Sequence, residues 1–133
     1  MSRAISRIAM LAAIFLLSLP GIAQQSLTGN QLLTKCEHAE RALSAPGGAP
    51  SGANLSDAYQ CVAFIAGAFE GASYSWILAG QVQGARAFCI PGAIPDIQLI
   101  RVTLSWLRSN PQHLHDPAGV LTIVALRDAF PCR

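Results

Sequence analysis

The last third of the chain, Phe88 to Cys132, carries a cysteine near each end. Between Cys89 and Cys132 lie two apolar segments of helix length, separated by Asn110-Pro111 and Asp116-Pro117. Proline donates no backbone N–H and disfavours helical backbone in the residue before it, so these dipeptides divide the run into two helices. A helix hairpin returns its two ends to one place, which makes Cys89 and Cys132 natural disulfide partners. Cys36 and Cys61 bring the count to an even four. Four cysteines allow three pairings, and no two of these have the C-x-x-C spacing of a zinc site or a redox motif.

Disulfides persist in oxidising compartments, and the N-terminus agrees. Arg3 and Arg7 form a basic start, Ile8 to Leu19 is apolar except for Ser18, and Pro20 precedes the small-x-Ala site Gly21-Ile22-Ala23. This is the form of a secretory signal over residues 1–23, cleaved before Gln24. The apolar run of 12 residues, Ile8 to Leu19, falls short of the roughly 20 needed to span a bilayer, which weighs against an uncleaved anchor. The short leader points to a bacterial periplasm, and residues 24–133 are short enough for one domain. Arg3 and Arg7 account for two of the nine basic residues, so the mature chain carries seven basic and seven acidic residues and no net formal charge. Without a basic patch or run, nucleic acid is not an expected partner.

Leu27 to Leu43 reads as a first helix. Thr28-x-x-Gln31 has the capping-box form, with Asn30 as a competing cap, and Leu32, Cys36, Ala39 and Leu43 share one stripe. Gly29 weakens this start. Residues 44–54, SAPGGAPSGAN, form a loop without a large apolar side chain. Leu55 to Ala79 reads as a longer helix capped by Asn54 or Ser56, with Asp57 in its first turn. Its apolar residues lie on nearly all sides, which predicts a central, buried helix. Ala63, Gly67 and Gly71 have the spacing that lets another backbone approach. A transmembrane reading of Cys61 to Ala79 places Glu70 mid-bilayer, at a cost of about 2.5 to 3.5 kcal/mol, so a helix-surface Glu70 paired with an arginine is the expectation. A third helix, Pro95 to Ser109, buries Ile97, Ile100, Leu104 and Leu107, widened by Leu99, Val102 and Trp106. The last, Pro117 to Ala129, is capped by Asp116 and turns Leu121, Val124 and Ala125 inward. No stretch alternates as a strand does. The expected fold is all-α, a small disulfide-stapled bundle of four to five helices.

No catalytic constellation appears. His113 and His115 are two apart, so on a helix they diverge; in a loop with Asp116 they could approach one metal, but solvated loop histidines are the plainer reading. Cys36-x-His38 suggests a cysteine–histidine dyad, against which stands a half-cystine beside a surface histidine. Gly-x-Ser-x-Gly, a phosphate-cradling glycine loop and His-Glu-x-x-His are all missing. Neither catalysis nor a cofactor or metal is expected. Trp76 and Trp106 are core or interface residues before they are ligand platforms.

A set of ordered residues resembles the Rap/Tai family of immunity proteins. Cys61-Val62-Ala63-Phe64-Ile65-Ala66-Gly67 is similar to that family's C-x-G-Y-I-x-G segment. Phe88-Cys89-Ile90-Pro91, Gln98-Leu99, Trp106-Leu107, Pro111, Leu114-His115, Ala125-Leu126 and Ala129-Phe130-Pro131-Cys132 resemble the remainder, ending in Phe-Pro-Cys. Phe64 stands for the family's tyrosine, Ala63 for its glycine and Asn110 for its histidine, and the 44–54 insertion looks atypical. The resemblance implies an exported, homodimeric protein that neutralises a type VI secretion effector, a cysteine amidase acting on peptidoglycan, by plugging its cleft. The rival expectation is an envelope protein with a structural or chaperone-like role and no dedicated effector.

Three further expectations follow from the residues. The effector-binding surface is placed on the connection carrying Arg108, Asn110, His113, His115 and Asp116, because loops on rigid scaffolds commonly carry recognition. A homodimer is expected because the second helix is apolar beyond what a small bundle covers. The pairing Cys36–Cys61 and Cys89–Cys132 follows from helix rise: across the 44–54 loop, Cys36 and Cys61 each lie about 9 to 10 Å from the turn, hence level.

Overall fold

Thr28 and Gln31 close the start of the first helix on each other. The Thr28 N–H donates to Gln31 Oε1 at 3.0 Å, and the Gln31 N–H points back to Thr28 Oγ1 at 3.5 Å. This reciprocal pair satisfies two donors that a helix start leaves without partners. The computed structural model describes residues 26–44, 52–81 and 86–132. The leader, its cleavage site and most of the 44–54 loop lie outside the described residues.

Four α-helices follow: α1 (Gly29–Ser44), α2 (Ala53–Leu78), α3 (Asp96–Ser109) and α4 (Ala118–Ala129), with one 3₁₀ turn at Pro111–His113. Among the described residues there is no strand, only an isolated bridge between Thr28 and Pro117. The fold is all-α and carries both expected disulfides, Cys36–Cys61 and Cys89–Cys132.

α3 buries one face. Leu99, Ile100, Leu104 and Leu107 are closed off from solvent, as is Thr103, whose hydroxyl donates to the Leu99 carbonyl at 3.0 Å. α1 lays Leu32, Cys36 and Ala39 against it, and α4 contributes Ala118, Leu121, Ala125 and Leu126. Leu43, expected on the α1 stripe, is 55% exposed because the core ends one turn before the helix does. Val124 of α4 is half-buried.

α2 does not take the central place expected for it. Of the described side chains of α2, Ala58, Cys61 and Ile65 are buried, whereas Tyr59, Tyr74, Ile77 and Leu78 are exposed. Length is the cause. α2 has 26 residues where the other helices have 12 to 16. α1 and α2 are antiparallel, and counting seven residues outward from each cysteine sets Gly29 level with Ala68. Residues 69–78 therefore continue about 15 Å beyond the start of α1. Asn54–Leu78 is long and apolar enough to cross a membrane by length and composition, but its first half is tied into the bundle by the Cys36–Cys61 bond.

Three local expectations change. α2 starts at Ala53 with Gly52 before it, and the Leu55 N–H donates to the Gly52 carbonyl, so neither Asn54 nor Ser56 is the cap. Asp57 turns to α1 instead. α4 has no side-chain cap, because Asp116 is occupied elsewhere. Glu70 is exposed, on the overhanging half of α2, and has no ion pair among the described residues; the arginine on that overhang, Arg86, lies over Trp76 instead.

Gly29 has a packing role that outweighs its poor helix propensity. A Cβ there would lie 2.5 Å from Leu121 Cδ1 and 3.0 Å from the Leu114 backbone. This close approach lets the Gly29 N–H donate to the Asp116 carbonyl at 3.0 Å and the Ala118 N–H to the Leu27 carbonyl at 2.7 Å. The start of α1 is thereby locked to the start of α4.

Candidate functional site

The 108–116 connection grows out of that lock. α3 ends at Ser109 because Pro111 stops helical backbone at Asn110, whose side-chain amide donates to the Trp106 carbonyl at 2.8 Å. The 3₁₀ turn follows, the Asp116 N–H donates to the His113 carbonyl at 2.9 Å, and the chain enters α4. The loop is thus short, internally bonded and held at its base by the first turn of α1.

The expected contact residues divide into two groups. Arg108 lies back across α1, with its guanidinium 3.1 Å from Glu40 Oε2 and 3.4 Å from Glu37 Oε1. Asn110 is half-buried and commits its amide to the helix end. His113, His115 and Asp116 form the outer cluster. His113 Nδ1 is 3.2 Å from one Asp116 oxygen and His115 Nε2 is 3.4 Å from the other, so the carboxylate sits between two imidazoles. His113 also leans toward the Trp106 ring, with centroids 6.1 Å apart. Among the described residues no group of three or more His, Cys, Asp or Glu side chains is placed to hold a metal ion. Trp106 adds a polar anchor that sequence reasoning missed: its indole N–H donates to Asp128 Oδ2 at 2.9 Å, beside a hollow of about 310 Å³ between α3 and α4. The i, i+22 separation of these residues gave no local signal.

A second polar cluster binds the first hairpin. Lys35 Nζ lies 2.7 Å from Asp57 Oδ1, and His38 Nδ1 lies 3.1 Å from Asp57 Oδ2. The Lys35 hydrogen bond holds the Asp57 carboxyl below its ordinary pKa, against an opposing push from partial burial. His38 therefore faces a carboxylate, and its neighbour Cys36 is committed to a disulfide, so the cysteine–histidine dyad does not exist. Neither cluster supplies a nucleophile with a base. What this surface can do is bind: a rigid loop offers two imidazoles and a carboxylate to a partner.

No curated protein and no solved structure matches the chain. A family model does, over residues 28–132, from the capping threonine of α1 to the last cysteine. That model describes immunity proteins, a description that implies a cognate effector as partner. The chain belongs to the family of Rap1a immunity proteins.

Proposed function

We propose that this protein protects the cell that makes it by binding and blocking a peptidoglycan amidase delivered by type VI secretion, and that it does so in the periplasm after loss of a signal peptide over residues 1–23. The family membership carries the reading. The two disulfides support an oxidising compartment. The binding surface is the loop from Arg108 to Asp116, led by His113, His115 and Asp116, whose polar atoms face outward from a braced scaffold. Arg108 and Asn110 contribute by holding that loop in place.

The working unit is a homodimer. α2 leaves Tyr59, Tyr74 and Leu78 uncovered, and a Cβ added at Gly67 or Gly71 would meet nothing within 4 Å. Exposed apolar side chains repeated along one helix mark an interface. Light scattering at micromolar concentration should return twice the mature mass.

The test pairs the purified, oxidised protein with the amidase encoded beside its gene and follows hydrolysis of peptidoglycan peptides. Stoichiometric inhibition supports the reading. Replacing His113, His115 and Asp116 together with alanine should weaken inhibition by about tenfold or more, as for other interface hot spots, without lowering the melting temperature. If no neighbouring amidase exists, or if inhibition is missing, the envelope role takes precedence. If inhibition persists in the triple variant, the contact surface is elsewhere.

A further inference from the structure

The 69–78 overhang of α2 is not bare on every side. The segment that follows it returns across the helix, stacking Phe88 on Phe69 with centroids 5.6 Å apart and laying the Arg86 guanidinium 3.8 Å above the Trp76 ring. Between them is a cleft of about 260 Å³, walled by Phe69, Trp76, Ile77, Phe88 and Ile90, with Arg86 among its lining residues. It shares no residue with the 108–116 loop.

We propose that this cleft is a second binding site, which takes an apolar side chain with a carboxylate beside it, presented by a partner polypeptide as a Leu-Asp type of sequence. Size decides against larger ligands: sites for cofactors and drug-sized molecules run from about 300 to 1,000 Å³, and this one falls below that range. A long acyl chain would not fit, whereas one residue-sized apolar group would. Charge decides the second half. Arg101, Arg108 and Arg127 each lie within 4.0 Å of a carboxylate. Arg86 has no carboxylate partner among the described residues, and it adjoins a further hollow that Arg127 also lines. A guanidinium stacked by its face on an indole keeps its N–H donors in the plane, where they suit the two oxygens of a carboxylate. The site is built on rigid supports, since Phe88 is buried and the Cys89 N–H donates to the Phe130 carbonyl at 2.8 Å. The proposal does not depend on the amidase reading.

The probe is the peptide acetyl-Gly-Leu-Asp-Gly-amide, titrated into the full, oxidised mature chain and followed through the indole N–H signal of Trp76, which is distinct from that of Trp106. Binding should move the Trp76 signal and the backbone signals of residues 86–90. The Leu-Asn version should bind about tenfold more weakly, the usual value of a charge-assisted pair. Arg86→Gln should produce the same loss and Arg86→Lys a smaller one, because lysine keeps the charge but not the fork. Both variants alter an exposed side chain, and their unchanged melting curves confirm the fold. Equal binding of the Asp and Asn peptides would overturn the proposal, as would an unaffected titration with Arg86→Gln. No movement of Trp76 at about 20 mM peptide, weaker than any useful contact, would also end it. So would a Trp76 signal that moves with protein concentration alone, since a second copy would then fill the cleft.

Discussion

The two disulfides do different work. Cys36–Cys61 joins the middle of α1 to a point about a third of the way along α2, and both residues are shut off from solvent. Cys89–Cys132 joins two non-helical segments, one seven residues ahead of α3 and one after the end of α4, with Cys132 exposed. The first is part of the core, flanked by Leu32, Ile65 and the Lys35–Asp57–His38 cluster. The second pins a strap, residues 86–90, to the end of α4. The contrast teaches that loop length ranks the two bonds one way and burial ranks them the other. Closure of 25 residues is worth about 3.5 kcal/mol in the chain-entropy picture and closure of 43 about 4 kcal/mol. That calculation treats the native state as equally rigid with and without the bond. This holds inside the core and fails at the strap, which regains freedom locally when released.

The sharpest way to break this comparison is to remove each bond. Cys36→Ala with Cys61→Ala should cost at least about 3.5 kcal/mol plus the packing that the two buried sulfurs supply, enough to unfold a domain whose whole stability is about 5 to 15 kcal/mol. Urea unfolding at 25 °C measures it. Cys89→Ala with Cys132→Ala should cost well under the roughly 4 kcal/mol that loop length assigns and leave the helical circular dichroism intact. A larger loss from the second pair than from the first would reverse the ranking. The same asymmetry predicts stepwise reduction: mild dithiothreitol should open Cys89–Cys132 first, read as alkylated peptides by mass spectrometry.

The next effect lies between the hairpins. Gly29→Ala puts a methyl group against Leu121 and the Leu114 backbone, and overpacking of this kind costs about 1 to 3 kcal/mol. Helix propensity alone predicts a gain of about 1 kcal/mol at the same position, so the sign of the change in melting temperature decides between packing and propensity. Smaller still is the acid response of the first hairpin. Asp57 has a lowered folded-state pKa, so its contribution is present above the unfolded value near pH 4 and is lost as pH falls through the folded value. The melting temperature should drop as pH falls below about 4, and Asp57→Asn should flatten that drop while lowering stability at neutral pH. An unchanged acid limb would remove Asp57 from the account.

Much of this was legible in the chain itself. Pro111, Pro117 and Pro131 mark their helix boundaries locally, and the capping pair Thr28 and Gln31 is three residues apart, so its geometry is fixed by the helix it starts. The cysteine pairing was readable because helix rise converts sequence distance into height. Expectation and structure part where an outcome depends on a distant element. An apolar helix looks central until the lengths of its neighbours are compared, and α2 outruns all of them. Asp57 has the place of a first-turn acid and Asp116 that of a helix cap, yet each finds stronger partners: Lys35 across the hairpin, and two histidines in the loop. Trp106 and Asp128 meet only through the packing of α3 on α4. The placement of His113, His115 and Asp116 on an outward loop followed from Pro111 and Pro117, but their convergence on one carboxylate did not.

The lock at Gly29 sets an order on folding. Leu27 and Gly29 are among the first described residues, and their partners Asp116, Ala118 and Leu121 lie about 90 positions later. Contacts so distant in sequence form only after the intervening chain has been gathered. α1 and α2 can pair early, but their hairpin has no floor until α3 and α4 exist. A nascent or translocating chain therefore stays unlocked until the stretch from Leu114 to Leu121 has arrived. Loss of a few residues from the far end, Cys132 among them, would leave that lock in place and free the strap at residues 86–90 instead.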